Sequence, residues 1–151
     1  MPVRKLQTSI LIQAARPAVF QWVADYRNAP TALEGVRRWE PLDRTRTTGR
    51  GARFSVRIAL FGLTAGTILE LDRWDEPSVI GWHANGGPVE VRGRWTFSEH
   101  PSGTDVTLDL EYEPPGGLLG SFGAGRLAGL GRHRLDAGLE AMRESLEDRE
   151  T

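Results

Sequence analysis

Apolar and polar residues alternate along most of this chain, which is the pattern of half-buried β-strands. The first alternating run covers residues 4–13, with Leu6, Ile10 and Ile12 on one side. Similar runs recur from residue 37 to residue 112 and are separated by clusters of Gly, Pro, Asn, Asp and Ser, which favour turns. The pattern predicts one strand at the start and a series of antiparallel strands later.

Two short helices are predicted between the first strand and the later ones. Pro17 fits the first turn of a helix, and apolar residues continue from there to Asp25. A second short helix or turn is predicted over residues 28–35, around Pro30.

The last predicted helix changes side-chain size along its core-facing stripe. In its C-terminal half the stripe holds large residues: Leu135, Leu139, Met142 and Leu146. Toward the N-terminal end the same positions hold small ones: Ser121, Ala124, Ala128 and Gly131. A helix that packs in this way over a sheet leaves space at its small end, so we predict a cavity between the sheet and this helix.

Matching the faces of neighbouring strands predicts the pairing. Around the turn at 102–103, Trp95 falls opposite Leu108 and Arg94 opposite Asp109, so apolar residues meet apolar ones and opposite charges meet. Upstream, the same matching places Leu71 opposite Trp82. It also predicts three further pairs: Trp82 with Val91, Phe54 with Leu71, and Arg53 with Asp72.

This pairing separates a charged outer face from an apolar inner face. It assigns His83, Glu70, Asp72 and Glu90 to a solvated outer ladder. Ile68 and Trp74 also fall on the outer face, which a bulge near Trp74 or a covering partner would explain. Arg73 points inward if the strand stays regular, and the strand over 39–45 leaves open whether Asp43 or Arg44 points inward.

The inward residues nearest the small end of the helix are the predicted ligand contacts. They are Phe54, Val56, Ile58, Trp82, Trp95 and Tyr112 from the sheet, with Ala124, Ala128 and Gly131 from the helix. Large aromatic side chains with a polar tip suit a cavity that holds an apolar ligand. If the domain is catalytic, Tyr112, Arg73 and Asp43 are the candidate catalytic residues.

Composition narrows the function further. A length of 151 residues fits a single domain over 1–151, and a net charge of −1 argues against a nucleic-acid partner. Without cysteine there is no thiol catalysis, and the three histidines show no metal-binding spacing. We therefore expect no cofactor and no metal. The N-terminus lacks a signal-peptide pattern and no run is apolar enough to insert stably in a membrane, so we expect a cytoplasmic protein.

The order of elements and several local segments resemble the polyketide cyclase/dehydrase and lipid-transport group of the START-like, or Bet v 1-like, superfamily (SRPBCC). The segments are ILI at 10–12, ARPAVF at 15–20, VAD at 23–25, GRGARF at 49–54, GRWTF at 93–97, GTDVT at 103–107 and PGGLLG at 115–120. The resemblance implies an α+β helix-grip fold. In it, a curved antiparallel sheet of about seven strands wraps around a long C-terminal helix, and two short helices follow the first strand.

The resemblance also implies a cavity for hydrophobic or aromatic molecules. We predict binding of a small lipid, quinone or polyketide-like molecule between the sheet and the C-terminal helix. Two alternatives stay open: a polyketide cyclase or dehydratase that uses the same cavity, and a protein-interaction role suggested by Ile68 and Trp74. The sequence leaves the oligomeric state open, a homodimer included.

Overall fold

The predicted strands and helices form a seven-stranded antiparallel sheet with helices against it. The computed structural model describes residues 4–33, 35–60, 63–85, 90–112 and 123–150. The strands are β1 (Arg4–Ile12), β2 (Val36–Pro41), β3 (Arg53–Leu60), β4 (Leu63–Asp75), β5 (Val79–Asn85), β6 (Val91–His100) and β7 (Gly103–Tyr112). The helices are α1 (Arg16–Ala24), α2 (Ala29–Ala32) and α3 (Gly123–Glu150), and a 3₁₀ turn at Tyr26–Asn28 precedes α2.

The strand order in the sheet is β1-β7-β6-β5-β4-β3-β2. Consecutive strands from β2 to β7 are therefore neighbours, and β1 pairs with β7 at one edge. The sheet curls into a half-barrel, with the short helices after β1 and the long helix at the C-terminus. This is the helix-grip fold that the sequence predicts.

The predicted register is confirmed in two strand pairs. In β6 and β7, Trp95 pairs with Leu108 and Arg94 with Asp109. In β4 and β5, Leu71 pairs with Trp82. Apolar and charged residues therefore fall on the two faces as expected.

In two other pairs the predicted register is wrong by two residues. Trp82 pairs with Gly93 rather than Val91, and Phe54 pairs with Leu69 rather than Leu71. In the same way Arg53 pairs with Glu70, not with Asp72. A two-residue shift keeps every side chain on its face, so face matching alone cannot exclude it. Between β3 and β4, the length of the connecting turn decides the register. This turn is short, as the pairing of Leu60 with Leu63 shows.

A bulge at Asp72 reverses the direction of the residues that follow it in β4. Leu71 pairs with Trp82 and Arg73 with Gly81, so Asp72 is the extra residue. Trp74 therefore turns inward and packs edge-on against Phe20, with ring centroids 5.2 Å apart. The assignment of Trp74 to the outer face is wrong, and the bulge offered as an explanation is confirmed.

The same bulge turns Arg73 outward, which corrects the prediction that it points inward. Half of its side chain is exposed, and its Nε lies 2.7 Å from Oδ2 of Asp75. Ile68, before the bulge, lies on the outer face as predicted and is 40 % exposed.

The core lies between the inner face of the sheet and the helices. The large stripe of α3 is buried as predicted: Leu135, Leu139, Met142 and Leu146. Thr104 of β7 is fully buried, and its hydroxyl donates a 2.8 Å hydrogen bond to the carbonyl of Ala14. This bond ties the start of β7 to the corner between β1 and α1. Among the described residues, no helix has both the length and the apolarity needed to cross a membrane.

Candidate functional site: a tryptophan-lined cavity

A cavity lies between the short helices and the inner face of strands β2 to β6. Its described lining comprises Trp22, Val23, Ala24, Tyr26, Asn28, Ala29, Ala32, Leu33, Trp39, Thr47, Phe54, Leu71, Trp74, Ile80, Trp82 and Trp95. The chain has five tryptophans, and all five are in this lining. Its volume is about 40 Å³, which is room for about three waters at roughly 10–15 Å³ each. An enclosed apolar cavity that holds benzene measures about 150 Å³, so this space accommodates only part of a ring.

The helical wall of the cavity is held by local hydrogen bonds. The side-chain amide of Asn28 donates a 2.7 Å bond to the carbonyl of Trp22, which joins the 3₁₀ turn to α1. Asp25 caps the turn by accepting a 3.0 Å bond from the backbone N–H of Arg27. Asp25 also pairs with the guanidinium of Arg27, and this hydrogen bond and charge raise the pKa of Arg27. These bonds position Tyr26 against the sheet.

Aromatic contacts connect the two walls of the cavity. Phe54 of β3 lies between Tyr26 and Trp39, with ring centroids 5.9 Å and 5.8 Å away. Trp39 belongs to β2, whose inner face the sequence left ambiguous. Both ring pairs are tilted, with interplanar angles of 38° and 44°, so aromatic contacts run from the 3₁₀ turn to β2.

Trp82 forms the floor of the cavity opposite Gly93. A Cβ added at Gly93 would lie 2.1 Å from Cζ2 and 2.2 Å from Cε2 of Trp82, so the indole lies directly on the β6 backbone. Trp82 is only 6 % exposed. Its Nε1 is buried and has no hydrogen-bond partner among the described residues.

The chemistry available in the described lining is almost entirely apolar. Tyr26 carries its one titratable side chain, and Asn28 and Thr47 add an amide and a hydroxyl. No carboxylate, histidine or basic side chain belongs to the described lining. Among the described residues, the structure also gathers no group of three His, Asp or Glu side chains that could hold a metal ion. The described lining is therefore apolar and offers few groups for proton transfer.

The predicted ligand contacts separate into three sets. Phe54, Trp82 and Trp95 line the cavity. Val56 is buried in the core, while Ile58 and Tyr112 are half-buried and packed against it. Ala124, Ala128 and Gly131 belong to α3, but the burial of these three positions is not described. Ser121 lies outside the described residues. Their contribution to a cavity at the small end of the helix stays a prediction.

Asp43 is not an inward residue. β2 ends at Pro41, and Asp43 lies in the exposed turn that follows. Its carboxylate accepts hydrogen bonds from the backbone N–H and the hydroxyl of Thr45, at 2.9 and 2.6 Å. These two bonds lower the pKa of Asp43. The structure therefore places both charged catalytic candidates, Asp43 and Arg73, away from the cavity.

Two residues of the predicted outer ladder, His83 and Asp72, contact each other. Nδ1 of His83 lies 2.9 Å from Oδ2 of Asp72 on the outer face. Glu90 and His133 are exposed. His100 accepts a 3.0 Å hydrogen bond from the backbone N–H of Ser102 within its turn.

Sequence reasoning does not assign Trp22, Trp39, Trp74 and Tyr26 to the site. The pattern places Trp22 only on the general apolar face of α1, and it places Trp74 on the wrong face of the sheet. The signal that could have grouped them is composition: five tryptophans in one domain, of which two are already predicted to face inward. Their joint burial against one set of helices is visible only in the folded chain.

Comparison with known proteins agrees with this architecture. The family model described as polyketide cyclase / dehydrase and lipid transport matches residues 3–147. The chain belongs to this family. No curated protein matches it.

Several solved structures share the fold of this family member. A protein from Thermus thermophilus is 19% identical, with a TM-score of 0.82, covering 98% of this chain and 100% of the other. A START superfamily protein from Mycobacterium smegmatis is 16% identical, with a TM-score of 0.75 over 95% and 97% of the two chains. The Zhui aromatase/cyclase from Streptomyces sp. R1128 is 19% identical, with a TM-score of 0.71 over 99% and 97%. At these identities the similarity shows the fold alone.

Proposed function

We propose that this protein binds a small, predominantly apolar molecule with an aromatic ring in the tryptophan-lined cavity. The observation that carries this proposal is that all five tryptophans line one cavity. Indole faces bury a large apolar area and favour offset or edge-on contact with another ring. The family description, which includes polyketide cyclisation and lipid transport, is consistent with such a ligand.

The proposed contacts are Phe54, Trp82 and Trp95 from the sheet, with Trp22 and Trp39 completing the aromatic wall. The cavity has room for about three waters, so we propose that it takes one end of a larger molecule or one edge of a single-ring compound. Polyketide-like molecules, quinones and lipids that carry an aromatic ring are the ligand classes that fit this proposal.

An enzyme acting on a polyketide-like substrate is the second candidate, because one of the similar folds is an aromatase/cyclase. General acid–base catalysis needs a titratable group within hydrogen-bond reach of the reacting atoms. In the described lining only Tyr26 could serve, and Tyr112 is the remaining candidate from the sequence. We therefore propose ligand binding as the first function and catalysis as the second. Product formation that is lost in both Tyr26→Phe and Tyr112→Phe would reverse this order.

The test uses α-methylstyrene, a single-ring hydrocarbon, and the five indole N–H signals in a ¹H–¹⁵N NMR spectrum. We expect the probe to shift several of these signals in a saturable way, because the ring enters between the indoles. Ala29 lines the cavity, so Ala29→Leu fills it and should abolish the saturable shifts. Ala137→Leu makes the same change at an exposed position of α3 and should bind like the unmodified protein.

Two outcomes would contradict the proposal. The first is a spectrum in which α-methylstyrene moves none of the indole signals. The second is a set of shifts that survives Ala29→Leu unchanged, because the ring would then bind elsewhere on the protein.

A further inference from the structure

We infer that the indole N–H of Trp82 donates a hydrogen bond to an uncharged acceptor oxygen of the ligand. The site would then select ring compounds that carry a ketone, aldehyde, quinone or ether oxygen over hydrocarbons of the same shape. This inference rests on the proposed function, because it concerns a ligand in the same cavity.

The first observation is a buried donor without an acceptor. Trp82 is 6 % exposed, and its Nε1 has no partner among the described residues. Buried polar groups in folded proteins are nearly always paired, so an unpaired one needs a physical reason. In a ligand-binding cavity, an acceptor on the bound molecule is such a reason.

The other buried atom of this kind has a different explanation. Among the described residues, Nε of Arg16 is the only other buried side-chain nitrogen or oxygen without a hydrogen-bond partner. The Arg16 guanidinium is satisfied through its other nitrogens, which lie 3.4 Å from the hydroxyl of Ser78 and 3.5 Å from the carboxylate of Glu99. An indole has a single donor, so Trp82 has no comparable alternative.

The second observation is that the backbone holds this donor in place. The six-membered edge of the Trp82 indole lies on Gly93, where an added Cβ would approach Cε2 to 2.2 Å. Cε2 is the ring carbon bonded to Nε1, so close packing there determines where the N–H lies. Leu71 is the neighbour of Trp82 on the opposite strand and offers no acceptor. The indole therefore cannot satisfy its N–H with a strand neighbour's side chain.

The third observation concerns charge. An N–H donor can bind a neutral or an anionic oxygen, but the described lining contains no basic side chain that would compensate a buried anion. The geometry thus favours an uncharged acceptor, such as a carbonyl or an ether, over a carboxylate or a phosphate.

The experiment compares acetophenone with α-methylstyrene, which have the same shape and differ by C=O against C=CH₂. Dissociation constants for both probes come from NMR titration of the unmodified protein, Trp82→Phe and Trp95→Phe. We expect the affinity ratio of acetophenone to α-methylstyrene to fall roughly 2- to 12-fold in Trp82→Phe, which is the range of one neutral hydrogen bond.

Trp95→Phe is the matched control, because it removes the same part of a ring from another indole of the cavity. It should weaken both probes and leave their ratio unchanged. In the unmodified protein, acetophenone should move the Trp82 indole N–H signal downfield, as a new hydrogen bond does, while α-methylstyrene should not. This second readout does not depend on the stability of either variant.

The outcomes separate the two proposals. Suppose that both probes bind, that their affinity ratio in Trp82→Phe equals the ratio in the unmodified protein, and that acetophenone causes no downfield shift of the Trp82 signal. The hydrogen-bond inference is then wrong, while the binding function stands. If neither probe binds the unmodified protein, the proposed function fails and the inference fails with it.

Discussion

At the residue scale, Gly93 determines where the Trp82 indole can lie. Its missing side chain lets the ring rest on the β6 backbone, and Trp82 in turn forms the floor of the cavity. The glycine is therefore required for close approach, and its backbone needs no left-handed conformation.

Gly93→Ala should destabilise the fold and displace the indole. A Cβ at 2.1 Å from Cζ2 requires the ring to move, and overpacking of this kind costs about 1–3 kcal/mol. Urea denaturation should show this loss of unfolding free energy, and the Trp82 N–H signal should shift. Gly66→Ala in β4 is the control, because among the described residues its added Cβ would meet only the Val56 carbonyl, at 3.9 Å. Equal stability changes in the two variants would contradict this account of Gly93.

Asp43 provides a second prediction at this scale, on the pH dependence of an exposed turn. Its pKa is lowered first by the Thr45 hydroxyl, then by the Thr45 backbone N–H, with a smaller contribution from Arg46. A carboxyl whose pKa is lower in the folded state stabilises the fold above the unfolded pKa. That contribution is lost as the pH falls through the folded value.

An NMR titration of the Asp43 carboxyl should therefore give a midpoint below that of the same residue in the urea-unfolded chain. Thr45→Ala should raise the midpoint toward the unfolded value, because it removes the largest cause of the shift. Thr48→Ala, at an exposed position three residues farther on, should leave it unchanged. A midpoint at the unfolded value in the folded protein would contradict the observed hydrogen bonds.

At the scale of elements, the short helix α2 depends on α3 for its position. A Cβ at Gly138 would lie 2.1 Å from the carbonyl oxygen of Ala32, so the two helices touch backbone to backbone there. Ala29 and Ala32 line the cavity, and α3 thereby supports the cavity wall indirectly.

The sign of the effect of Gly138→Ala tests this contact. In an unconstrained helix interior, replacing Gly by Ala stabilises by about 0.5–1 kcal/mol. Here the collision with Ala32 should reverse the sign, with a net loss of about 1 kcal/mol or more of unfolding free energy, and weaken probe binding. Ala137→Gly, at an exposed neighbouring position, should destabilise the helix by about 0.5–1 kcal/mol and leave binding unchanged. A stabilised Gly138→Ala protein would show that α2 does not rest on this glycine.

At the scale of the whole molecule, the described cavity lies between the sheet and the short helices. The sequence placed its cavity between the sheet and the small-residue half of α3, whose side chains lie outside the described residues. Ligand binding in the described cavity should stabilise the entire fold, since its walls come from both the helices and five strands.

Acetophenone at ten times its dissociation constant should raise the melting temperature by about 3–6 °C. Binding at this excess adds about 1.4 kcal/mol to the unfolding free energy, and a chain of this size gains about 2–4 °C per kcal/mol. Differential scanning calorimetry checks this value. Ala29→Leu, which fills the cavity, should show no ligand-dependent rise, and an undiminished rise in that variant would place the binding elsewhere.

Local sequence patterns were enough to predict the elements of the fold and the face on which most residues lie. Period-two alternation is a local property, so the inward positions of Phe54, Trp82 and Trp95 could be predicted without coordinates. The ion pairs of the outer face could not, because His83 contacts Asp72 and not the predicted Glu90. The family resemblance added the order of the elements in the helix-grip fold.

The features that depend on backbone geometry between elements are visible only in the folded chain. A two-residue register shift preserves every face, so only the turn between β3 and β4 and the packing of Trp82 on Gly93 settled the pairing. The bulge at Asp72 turned Trp74 inward and Arg73 outward, because one extra residue reverses the alternation after it. The contact of Gly138 with Ala32 and the collection of five tryptophans around one cavity arise from residues distant in sequence, and no local pattern encodes such proximity.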